Sequence, residues 1–401
     1  MSDKIHNFSV RLDRFLSKLN NGNEISKRNK KLLNNFSNQL IAQGVSEGRV
    51  LKYLSHLVKI IKLLRKDLDK VTKQDIINLV GYIERNQNWT AWTKHDFKVT
   101  LKKFYKWLYG DKPEPELTSW FTVTMKRSEQ KLPNQLLTEE DIKQLSAHAS
   151  NPRDKVFIYM LYESGARIGE ILPLKLKQLE FDKYGCLVTL EGKTGARKIR
   201  LISSFPALVN WLNSHPDRNN PEAWLWCGLS YDKKDKMLSY ANACKILKIC
   251  AKKAGINKPV NPHAFRHSRA TFLAKYLTEA QLCNYLGWVL GSKEASTYVH
   301  LSQRDIDDAI LKLHGIKKEE KEEIKLKPTI CPRCNHQNSP EAKFCTFCGL
   351  ALDVKTALEL DQKRELFSEI VGRLLEDPSF REMAKRKIAK LGLEKKLKEI
   401  I

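Results

Sequence analysis

The chain has 401 residues, length for several domains, and its 42% hydrophobic content is enough to bury a sizeable core, which excludes wholesale disorder. Lys and Arg number 71 against 46 Asp and Glu, a net charge of +25 that points to a polyanionic partner, nucleic acid before an anionic membrane surface. No apolar run reaches the roughly 20 residues of a membrane span, and the start, MSDKIHNFSVRLDRFLSKLN, holds no apolar signal segment.

Residues 1–23 read as a short N-terminal arm. Residues 24–111 read as a helical domain, with Leu33, Phe36 and Leu40, then Leu54, Val58 and Ile61, recurring at helical spacing. Thr72 followed by Asp75 predicts a capping box, with Val71 and Ile76 as its hydrophobic staple. A last helix over about 90–109 mixes Trp92, Phe97, Leu101, Phe104, Trp107 and Leu108 with lysines, and Gly110 and DKPEPE end it. Its Lys94, Lys98, Lys102, Lys103 and Lys106 are candidate phosphate contacts, while its aromatics read as bundle core.

A linker over 112–132 leads to a second domain over 133–316. Thr138 and Asp141 cap its first helix, stapled by Leu137 and Ile142. Residues 155–164 are almost wholly apolar, which suits a helix at the centre of a domain. CLVTL and KIRLI, around the turn EGKTGAR, change to strand periodicity and predict a β-hairpin or part of a three-stranded sheet. Helices resume from about 205. The charged run over 317–329 is a solvated linker, 330–353 holds two CxxC pairs, and 354–401 is an amphipathic helical tail broken near Asp377-Pro378.

Five stretches of the second domain occur in a telling order: GARIGE (165–170), EGKTGAR (191–197), HAFRH (263–267), LGW (286–288) and STYVH (296–300). Together they resemble the tyrosine recombinases, the phage-integrase-like enzymes. Their pattern is an Arg, a hairpin Lys, His-x-x-Arg, a His or Trp, then a nucleophilic Tyr. The resemblance covers about 133–315, and the preceding bundle fits that family's core-binding domain.

The expected fold is mainly α with a small β-sheet: the resemblance implies a helical core-binding (SAM-like) domain and a tyrosine-recombinase catalytic domain, and a zinc ribbon, which is not part of that family's minimal pattern, and a helical tail follow them. It implies that Tyr298 attacks a DNA phosphodiester, giving a covalent 3′-phosphotyrosyl enzyme. Arg167 and Arg266 would clamp the non-bridging oxygens, since a guanidinium is always charged and presents a planar fork. His263 would be the general base and Lys193 the general acid for the 5′-oxygen. Trp288 stands where many members carry a second His and would position and pack, and Glu170 is a secondary candidate that orients an arginine or supports the His. Asn261 and Pro262 are placed to start a helix that puts His263 and Arg266 on one face. His267 and His300 read as structural or incidental.

Nine cysteines, four of them clustered, read as a reduced, cytoplasmic protein (nucleoid-associated when bound to DNA) with one metal site. Cys331 and Cys334, then Cys345 and Cys348, have the spacing of two zinc knuckles, and CPRCNHQNSPEAKFCTFCGLAL resembles a zinc ribbon. Four cysteines close the site, so the Zn²⁺ is expected to be structural, and no cofactor is expected for catalysis. The expected partner is double-stranded DNA bound by a homotetramer, with no membrane. The reading is a site-specific recombinase, an integrase of a mobile element or virus. Its rivals are a type IB topoisomerase-like enzyme and a DNA-binding protein that does not cut.

Overall fold

The computed structural model describes residues 5, 7–110, 115–123, 136–192, 194–230, 234–291, 294–295, 298, 314 and 326–392. The chain divides into two compact units. The first comprises Met1–Leu136 with the short pieces Ile168–Leu172 and Leu238–Ala243; the second comprises Leu137–Arg167, Pro173–Met237 and Cys244–Ile401.

The first unit is a helical bundle: α1 (Phe8–Asn21), α2 (Lys27–Ala42), α3 (Glu47–Leu64), α4 (Lys73–Arg85), α5 (Ala91–Leu108) and the short α6 (Glu116–Ser119). The stretch expected as an arm contains α1, because Leu12 and Leu19 recur at helical spacing and are buried in the same core as Leu33, Phe36 and Leu54. Thr72 and Asp75 form the predicted capping box, and the staple pair Val71 and Ile76 is buried. The Lys66 ammonium and the Thr72 groups hold the Asp75 carboxyl down to about 2.

The aromatics of α5 belong to the core as expected, except Trp92, which sits in the first turn of the helix and is 59% exposed. Phe97, Phe104 and Tyr105 are buried, and Trp89 stacks on Phe97 with ring centres 4.5 Å apart. Several of its lysines serve the bundle itself. Lys94 donates to the Glu84 carbonyl at 2.6 Å, Lys98 pairs with the Glu84 carboxylate at 2.7 Å, and Lys102 lies 5.0 Å over the Phe121 ring. Lys103 is half-buried and Lys106 is exposed.

The second unit is built around α8 (Pro152–Ser164), reached from α7 (Glu139–Ala147). The predicted Thr138/Asp141 box caps α7, and Asn151 caps α8 with Pro152 at its first position. α8 is buried along almost its whole length, Arg153, Asp154 and Glu163 included, and packs against several neighbours. In chain order the short helix α9 (Ile168–Ile171), a piece of the first unit, comes next, and then the second unit's antiparallel meander, β1 (Leu179–Asp182), β2 (Gly185–Gly192) and β3 (Gly195–Leu201). Gly192 pairs with Gly195 at the end of the β2–β3 ladder, and Thr194 lies in a turn beside it. Then come α10 (Phe205–Asn213), α11 (Tyr240–Lys253), α12 (Pro262–Ala274) and α13 (Glu279–Leu286).

The C-terminal part carries β4 (Thr329–Ile330) and β5 (Gln337–Asn338), followed by α14 (Val354–Glu376) and α15 (Pro378–Lys390). Asp377 ends α14 and caps α15 by accepting from the Ser379 and Phe380 N–H groups. The tail leaves apolar side chains in solvent, among them Phe367 at 68% and Leu366 at 58% exposure. Among the described residues, no helix is long and apolar enough to cross a membrane. The expected linkers over 112–132 and 317–329 fall largely outside the described residues.

Candidate active site

The C-terminal end of α13 gathers the cations. The last carbonyls of a helix have no intrahelical donors and carry its negative dipole end. Here they accept from three arginines. Arg197 Nε donates to the Tyr285 carbonyl at 2.9 Å, Arg266 Nη2 to Leu286 at 2.8 Å and Arg167 Nη1 to Gly287 at 3.2 Å. Thr194 Oγ1, at the hairpin turn, also donates to the Gly287 carbonyl at 3.2 Å. Gly287 ends α13 in the left-handed region with φ 64°. The conformation favours glycine, and a Cβ there would lie 2.6 Å from Arg197 Nη1, so the guanidinium would have to shift.

α12 supplies the other side chains. Asn261 caps it by accepting from the Ala264 N–H at 3.0 Å, with Pro262 at its first position as expected. Arg266 is buried and its Nη1 donates to the Gly165 carbonyl at 2.9 Å, so two carbonyls from separate elements fix its fork. Its Cζ lies 5.2 Å from the Trp288 ring centre. Tyr298 stacks on the same ring, centres 5.1 Å apart and planes 11° from parallel. Trp288 therefore links the phenol to the arginine by packing. Burial pushes the Tyr298 hydroxyl up to about 12; the Arg266 charge works against this rise and Glu294 adds to it.

His263 is exposed at the start of α12. The histidine that hydrogen-bonds the Tyr298 hydroxyl is His267, through Nδ1. The rings of His263 and His267 are 6.4 Å apart. Glu170 is buried in α9, and Lys193 lies outside the described residues, beside Thr194.

Several site residues escaped sequence reasoning. Arg269, three residues after Arg266, donates from Nε to the Glu163 carbonyl at 3.0 Å, and Tyr285 Oη donates to the same oxygen at 2.9 Å. The buried Glu163 carboxylate accepts from the Ile202, Ser203 and Ser204 N–H groups at 2.7, 2.8 and 2.8 Å, and from Ser204 Oγ at 2.6 Å. Glu163 thus ties α8 to the end of β3, while its carbonyl holds α12 and α13. Their signal in sequence was faint. Arg269 stands one helical turn from Arg266, but nothing local indicates that a glutamate inside an apolar run would meet a loop some forty residues on.

The four ribbon cysteines meet as the spacing implied. Their sulfurs all lie within 4.8 Å of one another, with Cys331–Cys348 and Cys334–Cys345 at 3.5 Å. Four thiolates about 2.3 Å from one Zn²⁺ would be separated by about 3.8 Å, so the cluster fits a closed structural zinc site. Asn335 and Gly349, each following the second cysteine of its knuckle, adopt φ 56° and 72°. The buried Asn338 joins the knuckles, donating to the His336 carbonyl at 2.9 Å and accepting from the Thr346 N–H at 2.9 Å. The ribbon is seated on α8: Glu341 accepts from the buried Tyr159 hydroxyl and pairs with Lys155 Nζ at 2.5 Å.

Residues 135–305 match the model of the phage integrase family, and residues 330–352 that of a zinc-ribbon domain. Tyrosine recombinase XerA of Pyrococcus horikoshii is 27% identical over 292 residues, spanning 71% of this chain and 94% of the relative. Tyrosine recombinase XerD of Bifidobacterium longum is 24% identical over 296 residues, spanning 68% of this chain and 93% of the relative. Among solved structures, XerH site-specific recombinase bound to a palindromic difH substrate shares the fold with a TM-score of 0.53, at 18% identity over 78% of this chain and 98% of that one. A lambda integrase dimer bound to a COC′ core site does so with a TM-score of 0.54, at 17% identity over 74% and 80% of the two chains.

Proposed function

We propose that this chain, whose residues 135–305 match the phage integrase family model and whose residues 330–352 match a zinc ribbon, is a tyrosine recombinase that cleaves and rejoins duplex DNA at specific sites through Tyr298. The observation that carries the proposal is the Arg266–Trp288–Tyr298 stack, which joins a phenol and a carbonyl-fixed guanidinium on one indole. Attack at phosphorus increases charge on the non-bridging oxygens, and fixed cations stabilise it without reorganising. Arg266 and Arg167 are the clamp. Lys193 is the acid for the departing 5′-oxygen, Trp288 packs the nucleophile, a histidine of α12 takes the phenolic proton, and Glu170 supports an arginine.

The phosphotyrosine conserves the energy of the broken bond, so rejoining draws on no nucleotide. Exchange between two duplexes calls for four protomers, and we assign the active form to a homotetramer on DNA, in the cytoplasm at the nucleoid. The biological role we assign is integration and excision of a mobile element. Lys103 and Lys106 are the α5 lysines left for phosphate by the bundle contacts of Lys94, Lys98 and Lys102.

The test is a nicked suicide duplex containing the target, captured by selection from the host's DNA. A covalent protein–DNA adduct mapping to Tyr298 at a 3′-phosphate, absent in Tyr298→Phe, is the expected result. DNA binding without any adduct would favour a non-cutting protein. Relaxation of supercoils without strand exchange would favour a topoisomerase. Junctions confined to identical chromosomal sites would overturn the mobile-element role.

A further inference from the structure

We propose that His267 is the catalytic base that removes the phenolic proton of Tyr298. The inference rests on the reading of Tyr298 as the nucleophile and goes beyond it by choosing between two histidines on one helix. His263 carries the motif position, yet His267 makes the hydrogen bond to the reacting oxygen.

The local structure favours His267 for a physical reason. It directly follows Arg266 on α12, so the turn that buries the guanidinium against the Gly165 and Leu286 carbonyls also points the next side chain to the exposed side. Tyr298 packs against the core formed by α12, α13 and Trp288, and its hydroxyl meets His267 Nδ1 there. The His267 and Tyr298 ring centres are 5.8 Å apart with planes inclined at 30°. A proton acceptor at this distance from the nucleophile needs no further movement to act, whereas His263 stands one turn earlier, its ring centre 6.4 Å from that of His267. To accept, Nδ1 must be the unprotonated nitrogen, which places the imidazole proton on Nε2.

In-line displacement puts the attacking and leaving oxygens on opposite sides of phosphorus, so the base and the acid are different residues. As the Tyr298 Oη–P bond forms, the phenolic O–H bond breaks and its proton passes to His267 Nδ1. The P–O5′ bond breaks, and the 5′-oxygen takes its proton from the acid on the far side, the role assigned to Lys193. In rejoining, the imidazolium returns the proton to the phenolate.

The experiment uses the full chain, the suicide duplex and a matching duplex whose scissile bond is a 5′-bridging phosphorothiolate. The thiolate leaves without an acid, so this substrate relieves a missing acid and leaves a missing base uncorrected. His267→Ala is expected to slow single-turnover adduct formation about 10²–10³-fold on both duplexes, with DNA affinity kept and partial recovery on adding imidazole. His267→Asn places a hydrogen-bond acceptor near the Nδ1 position but takes no proton, and is expected to stay slow. Near-wild-type rates in His267→Asn would mean that the residue only positions the phenol, and would overturn the proposal. So would a loss in His267→Ala that the phosphorothiolate repairs, or imidazole rescue confined to His263→Ala. An adduct that persists in Tyr298→Phe would instead overturn the reading of the nucleophile.

Discussion

The zinc ribbon and the active site are both clusters of a few side chains, but they are assembled over different distances along the chain. The ribbon takes its four sulfurs from residues 331–348, and each knuckle turns on its own N–H···O bonds and one positive-φ residue. The candidate active site takes its groups from residue 167 through residue 298, and what holds its arginines is the carbonyl end of α13. A local cluster can be specified by spacing. A dispersed one depends on how elements dock, and it fails when any docking partner moves.

The largest expected effect comes from breaking the dispersed site at its anchor. Arg266→Ala should slow adduct formation about 10²–10³-fold, the usual cost of removing a preorganised charge donor. Arg266→Lys should recover little, because an ammonium cannot span the Gly165 and Leu286 carbonyls as the fork does. Single-turnover cleavage of the suicide duplex reads both. Wild-type rates in Arg266→Lys would show that charge suffices and that the carbonyl clamp is incidental.

A second break targets the anchor without touching a charge. Gly287→Ala forces a Cβ into the Arg197 guanidinium and a left-handed residue into a strained state worth about 1–3 kcal/mol. Adduct formation should fall about tenfold or more, with the Zn²⁺ content unchanged. If both are unaltered, the helix end does not position the arginines.

Removing the metal probes the local cluster. Cys345→Ser, or chelation, should abolish Zn²⁺ binding and unfold the ribbon, since so small a unit has little core of its own. The catalytic unit should remain folded but melt roughly 5–10 °C lower, as the Tyr159 hydroxyl loses the Glu341 carboxylate that covers it. Glu341→Gln should reproduce about 1–3 kcal/mol of that loss with the metal still bound, and a double-mutant cycle with Tyr159→Phe should show coupling. Unchanged melting in both would make the ribbon an independent appendage.

The smallest effect lies in the first unit. Asp75 is held down to about 2 from an ordinary value near 3.8, so it favours the folded state above the higher value and loses that advantage as pH falls through the lower one. Asp75→Asn should flatten the stability profile between about pH 4 and 2 and leave cleavage at neutral pH unchanged. Denaturant melts across that range would reveal it.

Much of this molecule was legible because its signals are local. Both capping boxes, the buried α8 helix, the strand change around residues 186–201 and the four cysteines follow from spacing and side-chain chemistry. The α1 helix was less legible, because its two deeply buried leucines only count as a stripe once a core exists to receive them. The functions of Glu163, Arg197 and Arg269 were not legible, since each makes its key bond to a backbone carbonyl or N–H, and backbone groups leave no trace in the residue order.

The sequence by itself determined the family of chemistry: a phenol, two guanidiniums and histidines in a fixed order, with a closed thiolate site behind them. Only the tertiary structure decided which groups touch, placing Trp288 under Arg266 and beside Tyr298 and bringing His267 to the phenol. The physical reason is that residue type sets what a group can do, whereas reach over hydrogen-bonding distances is set by the packing of α12 against the end of α13.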